Sequence, residues 1–147
     1  MTIQAAQIST TIHASLDRVW NALTTPNVLG GCFFGSEVEA DYQVGGPILF
    51  RGELKGKRFE DKGRIQVVAP SKQLSFTHWS PLTGTPDRPE NYHLVTFDLA
   101  GSGEATRVTL TQDNLDGRAV SAKSSRDLAK NWTAILKALK KAVESAA

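Results

Sequence analysis

Two histidines and a glutamine stand where the alternation of three strand-like segments would place apolar side chains. His78 takes such a position in LSFTHWS, His93 in NYHLVTF and Gln112 in EATRVTLTQDN. Successive side chains of a strand point to opposite faces of a sheet, so these polar groups share the inward face with the apolar residues. If the three strands are antiparallel neighbours, the sequence predicts that the three groups lie at one end of that face.

Buried polar groups of this kind need partners, and the partner decides what they do. Leaving an imidazole or an amide buried without a hydrogen bond costs about 1 to 3 kcal/mol. Our main hypothesis is a wet polar pocket in which the groups find partners in each other, in water or in a ligand. In the alternative, each histidine is satisfied by a backbone carbonyl or by its neighbour and lines no pocket.

The residue sets that nucleophilic or metal-dependent catalysis requires do not assemble from this pattern. Asp98 has the opposite strand phase to His93 and points away from it. Asp61 is the inward carboxylate, and we place it near a strand end where solvent reaches it. Cys32 is more typical of a buried structural cysteine than of a reactive thiol. We therefore favour binding over catalysis and expect no catalytic residue, no metal and no cofactor.

The elements that must position these groups are one strand, a helix, six further strands and a long terminal helix. QISTTIHA alternates as a strand, and SLDRVWNALTTP has a serine cap, helical spacing and a stop before Pro26. SEVEADY, PILFRGEL, FEDKGRIQVVA, KQLSFTHWS, NYHLVTFDLA and EATRVTLTQDN follow as strands separated by turns, which favours antiparallel hairpins. The apolar residues from Leu128 to Val143 recur every three or four positions and predict a long amphipathic helix.

Composition restricts the class of protein. The chain has 147 residues, 40% hydrophobic content and a net charge of +2, which fits a single domain over residues 1–147. Its single cysteine excludes an internal disulfide. We expect a cytoplasmic protein without membrane insertion, because no signal peptide or long apolar run is present.

The C-terminal segment from Gly117 to Ala147 is basic: it has seven Lys/Arg and two Asp/Glu, which gives it a net charge of +5. We interpret this charge as a solvated helix face, and we expect no nucleic-acid partner.

Several segments resemble a known family in order along the chain. STTIHASLDRVWNALTTP, YQVGGPILFRG, GRIQVVAPSKQLSFT, GSGEATRVTLTQDNL and NWTAILKALKK are similar to segments of the family homologous to the C-terminal domain of the activator of heat-shock protein 90 ATPase, within the START-like (SRPBCC) superfamily. The resemblance implies an α+β helix-grip fold, in which a curved antiparallel sheet is wrapped around a long C-terminal helix, with short helices after the first strand. It also implies a cavity between the sheet and that helix.

The departures from the family pattern fall near the expected cavity. VLGGCFFG stands where family members often carry a tryptophan, so Phe33 and Phe34 would supply the aromatic surface. His78 replaces a common aromatic residue, and Gln112 stands where many relatives have histidine. The longer eukaryotic co-chaperones carry an additional N-terminal domain that contacts the chaperone, and no segment of this chain corresponds to it. The resemblance therefore gives only weak support for a chaperone as a partner of this protein.

We therefore predict that the chain binds a small apolar or amphipathic molecule between the sheet and the terminal helix, with a stress-related role as one interpretation of the resemblance. The predicted ligand-binding residues are Phe33, Phe34, Phe50, Phe76, His78, His93, Phe97, Leu110, Gln112, Trp132 and Leu136. Two alternatives remain open. One is a chaperone-associated protein-binding module with a filled interior. The other is a cyclase- or hydrolase-like enzyme acting on a hydrophobic substrate.

Overall fold

Seven strands form one antiparallel sheet in the computed structural model, which describes residues 3–118 and 120–145. The elements in chain order are β1 Ile3–Ile12, α1 Leu16–Leu23, α2 Pro26–Cys32, β2 Glu37–Ala40, β3 Pro47–Leu54, β4 Lys57–Ala69, β5 Gln73–His78, β6 His93–Ser102, β7 Ala105–Asn114 and α3 Ala122–Ser145. In the strand order β1-β7-β6-β5-β4-β3-β2, strands β2 to β7 each pair with their neighbours in sequence, and β1 pairs with β7. The predicted α+β helix-grip architecture is confirmed.

Helix α1 begins and ends where the sequence pattern indicates, and a second short helix, α2, follows it. The Ser15 side chain caps α1 by accepting a hydrogen bond from the backbone N–H of Arg18, at 3.3 Å. Val19 and Leu23 bury the inner side of α1. Pro26 then occupies the first turn of α2, where its missing N–H costs no intrahelical hydrogen bond.

The core lies between the sheet and α3, whose apolar stripe is buried as predicted. The buried residues of α3 are Trp132, Ile135, Leu136, Leu139 and Val143. Polar contacts fix the same helix to β1: Ser125 Oγ donates to the carbonyl oxygen of Ala5 at 2.7 Å, and Lys140 Nζ donates to that of Thr11 at 2.6 Å. The helix therefore has a defined position across the sheet.

The strand register brings the three predicted polar positions to one end of the inward face. His78 lies directly opposite His93 in the β5–β6 ladder, and Gln112 lies opposite Val95 in the β6–β7 ladder. A bulge between Ile65 and Val67 shifts the β4–β5 register. It lies beyond the site, so it leaves the inward phase of His78 and His93 unchanged.

A close approach of backbones at Gly63 holds β4 against the end of β5. A Cβ atom at Gly63 would overlap the carbonyl oxygen of Thr77, the residue before His78. The two strands continue in contact through an isolated bridge between Lys62 and Trp79. Only glycine permits this spacing, and it sets Asp61 beside His78.

We expect Gly63→Ala to lower the free energy of unfolding by about 1 to 3 kcal/mol, because the added methyl group meets backbone that cannot rotate away. Chemical denaturation measures the change. Gly31→Ala is the matched control, since a Cβ there meets no atom within 4 Å and the residue lies in α2. It should leave stability unchanged or raise it by up to about 1 kcal/mol. Wild-type stability in Gly63→Ala would contradict the close approach.

Candidate ligand-binding cavity

A cavity of about 610 Å³ lies between the sheet and the first half of α3. Strands β3 to β7, the segment after α2 and the helix all contribute to its walls. The lining residues are Phe33, Phe34, Gly35, Ser36, Phe50, Gly52, Glu53, Phe59, Asp61, His78, Leu82, His93, Gln112, Leu128, Asn131, Trp132 and Ile135. Phe34 is 69% exposed and Leu82 is 52% exposed, so these two residues mark the side on which the cavity reaches solvent.

A chain of hydrogen bonds crosses three strands on the cavity wall. Asp61 Oδ2 on β4 lies 3.1 Å from His78 Nε2 on β5, and His78 Nδ1 lies 3.0 Å from His93 Nε2 on β6. The side chains of Asp61 and His78 are only 15% and 12% exposed. The two histidines therefore satisfy each other in part, as the alternative interpretation of the sequence supposed, and they also line a cavity.

Gln112 belongs to a second, separate polar network. The indole Nε1–H of Trp132 donates to Gln112 Oε1 at 2.8 Å, and Gln112 Nε2 donates to Asn114 Oδ1 at 3.1 Å. Both Gln112 and Trp132 are nearly fully buried. This network joins α3 to β7 and fixes the orientation of the indole ring on the cavity wall.

The environment of His93 keeps its imidazole neutral. Burial first, and the neighbouring His78 second, lower the pKa of His93 from 6.5 to about 3. The Trp132 indole meets the His93 ring edge-on, with 6.4 Å between the ring centroids. At neutral pH the site therefore presents His93 as an uncharged imidazole between an aromatic ring and a second histidine.

Seven of the predicted ligand-binding residues line the cavity, namely Phe33, Phe34, Phe50, His78, His93, Gln112 and Trp132. The other four residues lie in the core and do not line this cavity: Phe76, Phe97, Leu110 and Leu136. Phe76 shows the reason, because the rings of Phe33 and Phe50 lie 6.4 and 5.8 Å from it and cover it. Whether the seven lining residues bind a ligand stays a prediction.

Asp61 is the main residue that the sequence interpretation misplaced, since it is mostly buried and not solvated. Alternation with Ile65 correctly indicated its inward phase, but the hydrogen bond to His78 depends on a contact between strands that no local pattern reveals. Phe59, Leu82 and Asn131 were also missed. Leu128 and Ile135 could have been found, because they share the helix stripe of Trp132.

Other residues with reactive side chains lie outside the cavity. Cys32 is buried, and burial raises the pKa of its thiol to about 11, so it is not a nucleophile at neutral pH. Asp98 accepts a hydrogen bond from Gln73 on the exposed face of the sheet.

In residues 3–118 and 120–145, no group of three His, Cys, Asp or Glu side chains could hold a metal ion. None of the helices described in these ranges is both long and apolar enough to cross a membrane.

The lowered pKa of His93 predicts a stability that falls with decreasing pH. Below about pH 6.5 the unfolded chain binds a proton at His93, whereas the folded chain does not until about pH 3. Protonation in this window therefore favours unfolding, by up to about 1.4 kcal/mol per pH unit. Denaturation at a series of pH values should show a shallower dependence in His93→Leu than in the wild type. Equal slopes in the wild type and His93→Leu would contradict the lowered pKa of His93.

Solved structures share this architecture over nearly the whole chain. ChR145 from Cytophaga hutchinsonii is 39% identical, with a TM-score of 0.80 over 99% of this chain and 94% of that chain. The Aha1 dimer from Colwellia psychrerythraea is 20% identical, with a TM-score of 0.70 over 98% and 96%. CalU16 from Micromonospora echinospora is 21% identical, with a TM-score of 0.66 over 93% and 74%. The two more distant structures show the fold alone.

The family model described as "Activator of Hsp90 ATPase homolog 1-like protein" matches residues 13–144. No curated protein matches the chain significantly. The matched range includes helices α1 and α2, strands β2 to β7 and nearly all of α3. The resemblance predicted from the sequence segments is confirmed, and the chain belongs to the family of Activator of Hsp90 ATPase homolog 1-like proteins.

Proposed function

We propose that this protein binds a small, largely apolar molecule in the cavity between the sheet and α3. The observation that carries the proposal is the cavity itself, because it combines aromatic walls with hydrogen-bonding groups at one wall. Its volume of about 610 Å³ lies within the range of about 300 to 1,000 Å³ that is typical of small-molecule sites.

The aromatic walls favour a flat or acyl-like apolar ligand. Phe33 packs against Phe50 with 4.8 Å between ring centroids and meets Trp132 edge-on at 6.0 Å. These rings pack against one another in defined orientations, so binding requires little reordering of the wall, which reduces its entropic cost. Phe34 lies at the exposed side of the cavity, where a ligand would cover its apolar surface.

The cavity also discriminates among the alternatives. A protein-binding module predicted a filled interior, so a void of this size favours a small-molecule ligand. A nucleophilic enzyme would need an activated serine, threonine or cysteine, whereas the hydroxyl of Ser36, which lines the cavity, donates to the backbone carbonyl of Phe33 at 2.6 Å. Binding accounts for the arrangement without an additional catalytic group.

The neutral fluorescent probe N-phenyl-1-naphthylamine tests this proposal. We expect its emission to rise on binding and the protein to melt at a higher temperature, since a ligand that binds only the folded state stabilises it, by about 2.7 kcal/mol at a hundredfold excess over Kd. Asn131→Trp places a large side chain at the cavity wall and should weaken binding at least about tenfold.

Lys130→Trp is the matched control, because this exposed neighbour on α3 does not line the cavity. It should bind the probe as tightly as the wild type does. Equal loss of binding in both variants would place the probe elsewhere on the helix. Unchanged binding in Asn131→Trp would contradict the cavity as the site.

A further inference from the structure

We propose that the cavity selects ligands that donate a hydrogen bond and carry no negative charge, such as phenols and alcohols, because Asp61 fixes His93 as a hydrogen-bond acceptor through His78. This inference rests on the proposed function and specifies the chemistry of the ligand. It follows from the direction of each hydrogen bond in the chain, from the open atom of His93 and from the charges around the cavity.

The carboxylate of Asp61 sets the direction of the chain. An ionised carboxylate only accepts hydrogen bonds, so His78 Nε2 must carry the proton that lies between it and Asp61 Oδ2. A neutral imidazole has one donor and one acceptor nitrogen, which makes His78 Nδ1 an acceptor. His93 Nε2, 3.0 Å away, is then the donor, and His93 Nδ1 is left with a free lone pair.

That lone pair is available to a ligand. The described residues give His93 Nδ1 no hydrogen bond. Among the described residues, the side-chain polar atoms that are both inaccessible to solvent and without a hydrogen bond are the Tyr42 hydroxyl and Asp61 Oδ1. His93 Nδ1 is not among them, although it also lacks a hydrogen bond, so it is accessible. The atom is therefore open, and His93 lines the cavity. The lowered pKa of His93 agrees with this role, since a neutral imidazole keeps its acceptor.

The charges around the cavity exclude an acidic ligand. Glu53 and Asp61 are the charged residues among the described lining residues, which include no lysine or arginine. A carboxylate or phosphate group would meet two like charges and no cation, and it could not donate to His93. An anion at this wall would lose hydration and gain no cationic partner, which weakens its binding. A neutral hydroxyl or N–H group satisfies His93 without that cost.

Three naphthalenes of matched shape test the inference on the full chain at about pH 8, where an ordinary histidine is neutral. The probes are 2-naphthol, 2-methoxynaphthalene and 2-naphthoate, with Kd measured by ligand-observed NMR. We expect 2-naphthol to bind about five- to tenfold more tightly than the methoxy compound, which keeps the oxygen but cannot donate. The anionic naphthoate should bind most weakly.

His93→Phe provides the matching protein variant, since it retains an aromatic ring and removes the acceptor. It should bind 2-naphthol and 2-methoxynaphthalene about equally. If the wild type binds the methoxy compound as tightly as the naphthol, or the naphthoate most tightly, the selectivity is refuted while the proposed function stands. If none of the three probes binds, the proposed cavity function falls as well.

Discussion

The close approach of β4 to β5 at Gly63 is the constraint on which the site depends. Because the two backbones touch there, Asp61 lies beside His78, and the β5–β6 register then places His93 opposite His78. The same antiparallel register repeats through β7 and brings Gln112 to this end of the sheet. A side chain at Gly63 would separate the carboxylate from the imidazole that it orients, so the backbone geometry decides the chemistry of the cavity wall.

The polar groups of the inward face divide into two kinds. Gln112 bonds to Trp132 and Asn114, so its main effect is to hold α3 against β7 and to fix the indole. His93 has a side-chain hydrogen bond through Nε2, and it lines the cavity, where we propose that its Nδ1 accepts from a ligand. This division explains how a buried glutamine and two partly buried histidines coexist beside the apolar core, because each has a partner within the protein and one retains capacity for a ligand.

The order of strands and helices and the inward polar triplet could be predicted from strand phase and helix periodicity, because these are local properties. The helix-grip arrangement of those elements followed instead from the resemblance to the family. His78, His93 and Gln112 follow from alternation, and Trp132 follows from the stripe of α3. The extent of the cavity could not be predicted in this way. Phe76 lies on the correct face but is covered by Phe33, and the burial of Asp61 depends on its contact with His78. Both outcomes arise from packing between segments distant in sequence.

The protonation of the ring nitrogens shows whether Asp61 orients both imidazoles so that His93 offers an acceptor. Long-range ¹H–¹⁵N correlation spectra of the labelled protein at about pH 8 separate protonated from unprotonated ring nitrogens. We expect a proton on Nε2 of His78 and of His93, and none on either Nδ1. A proton on His93 Nδ1 would contradict this orientation, because the cavity would then present a donor.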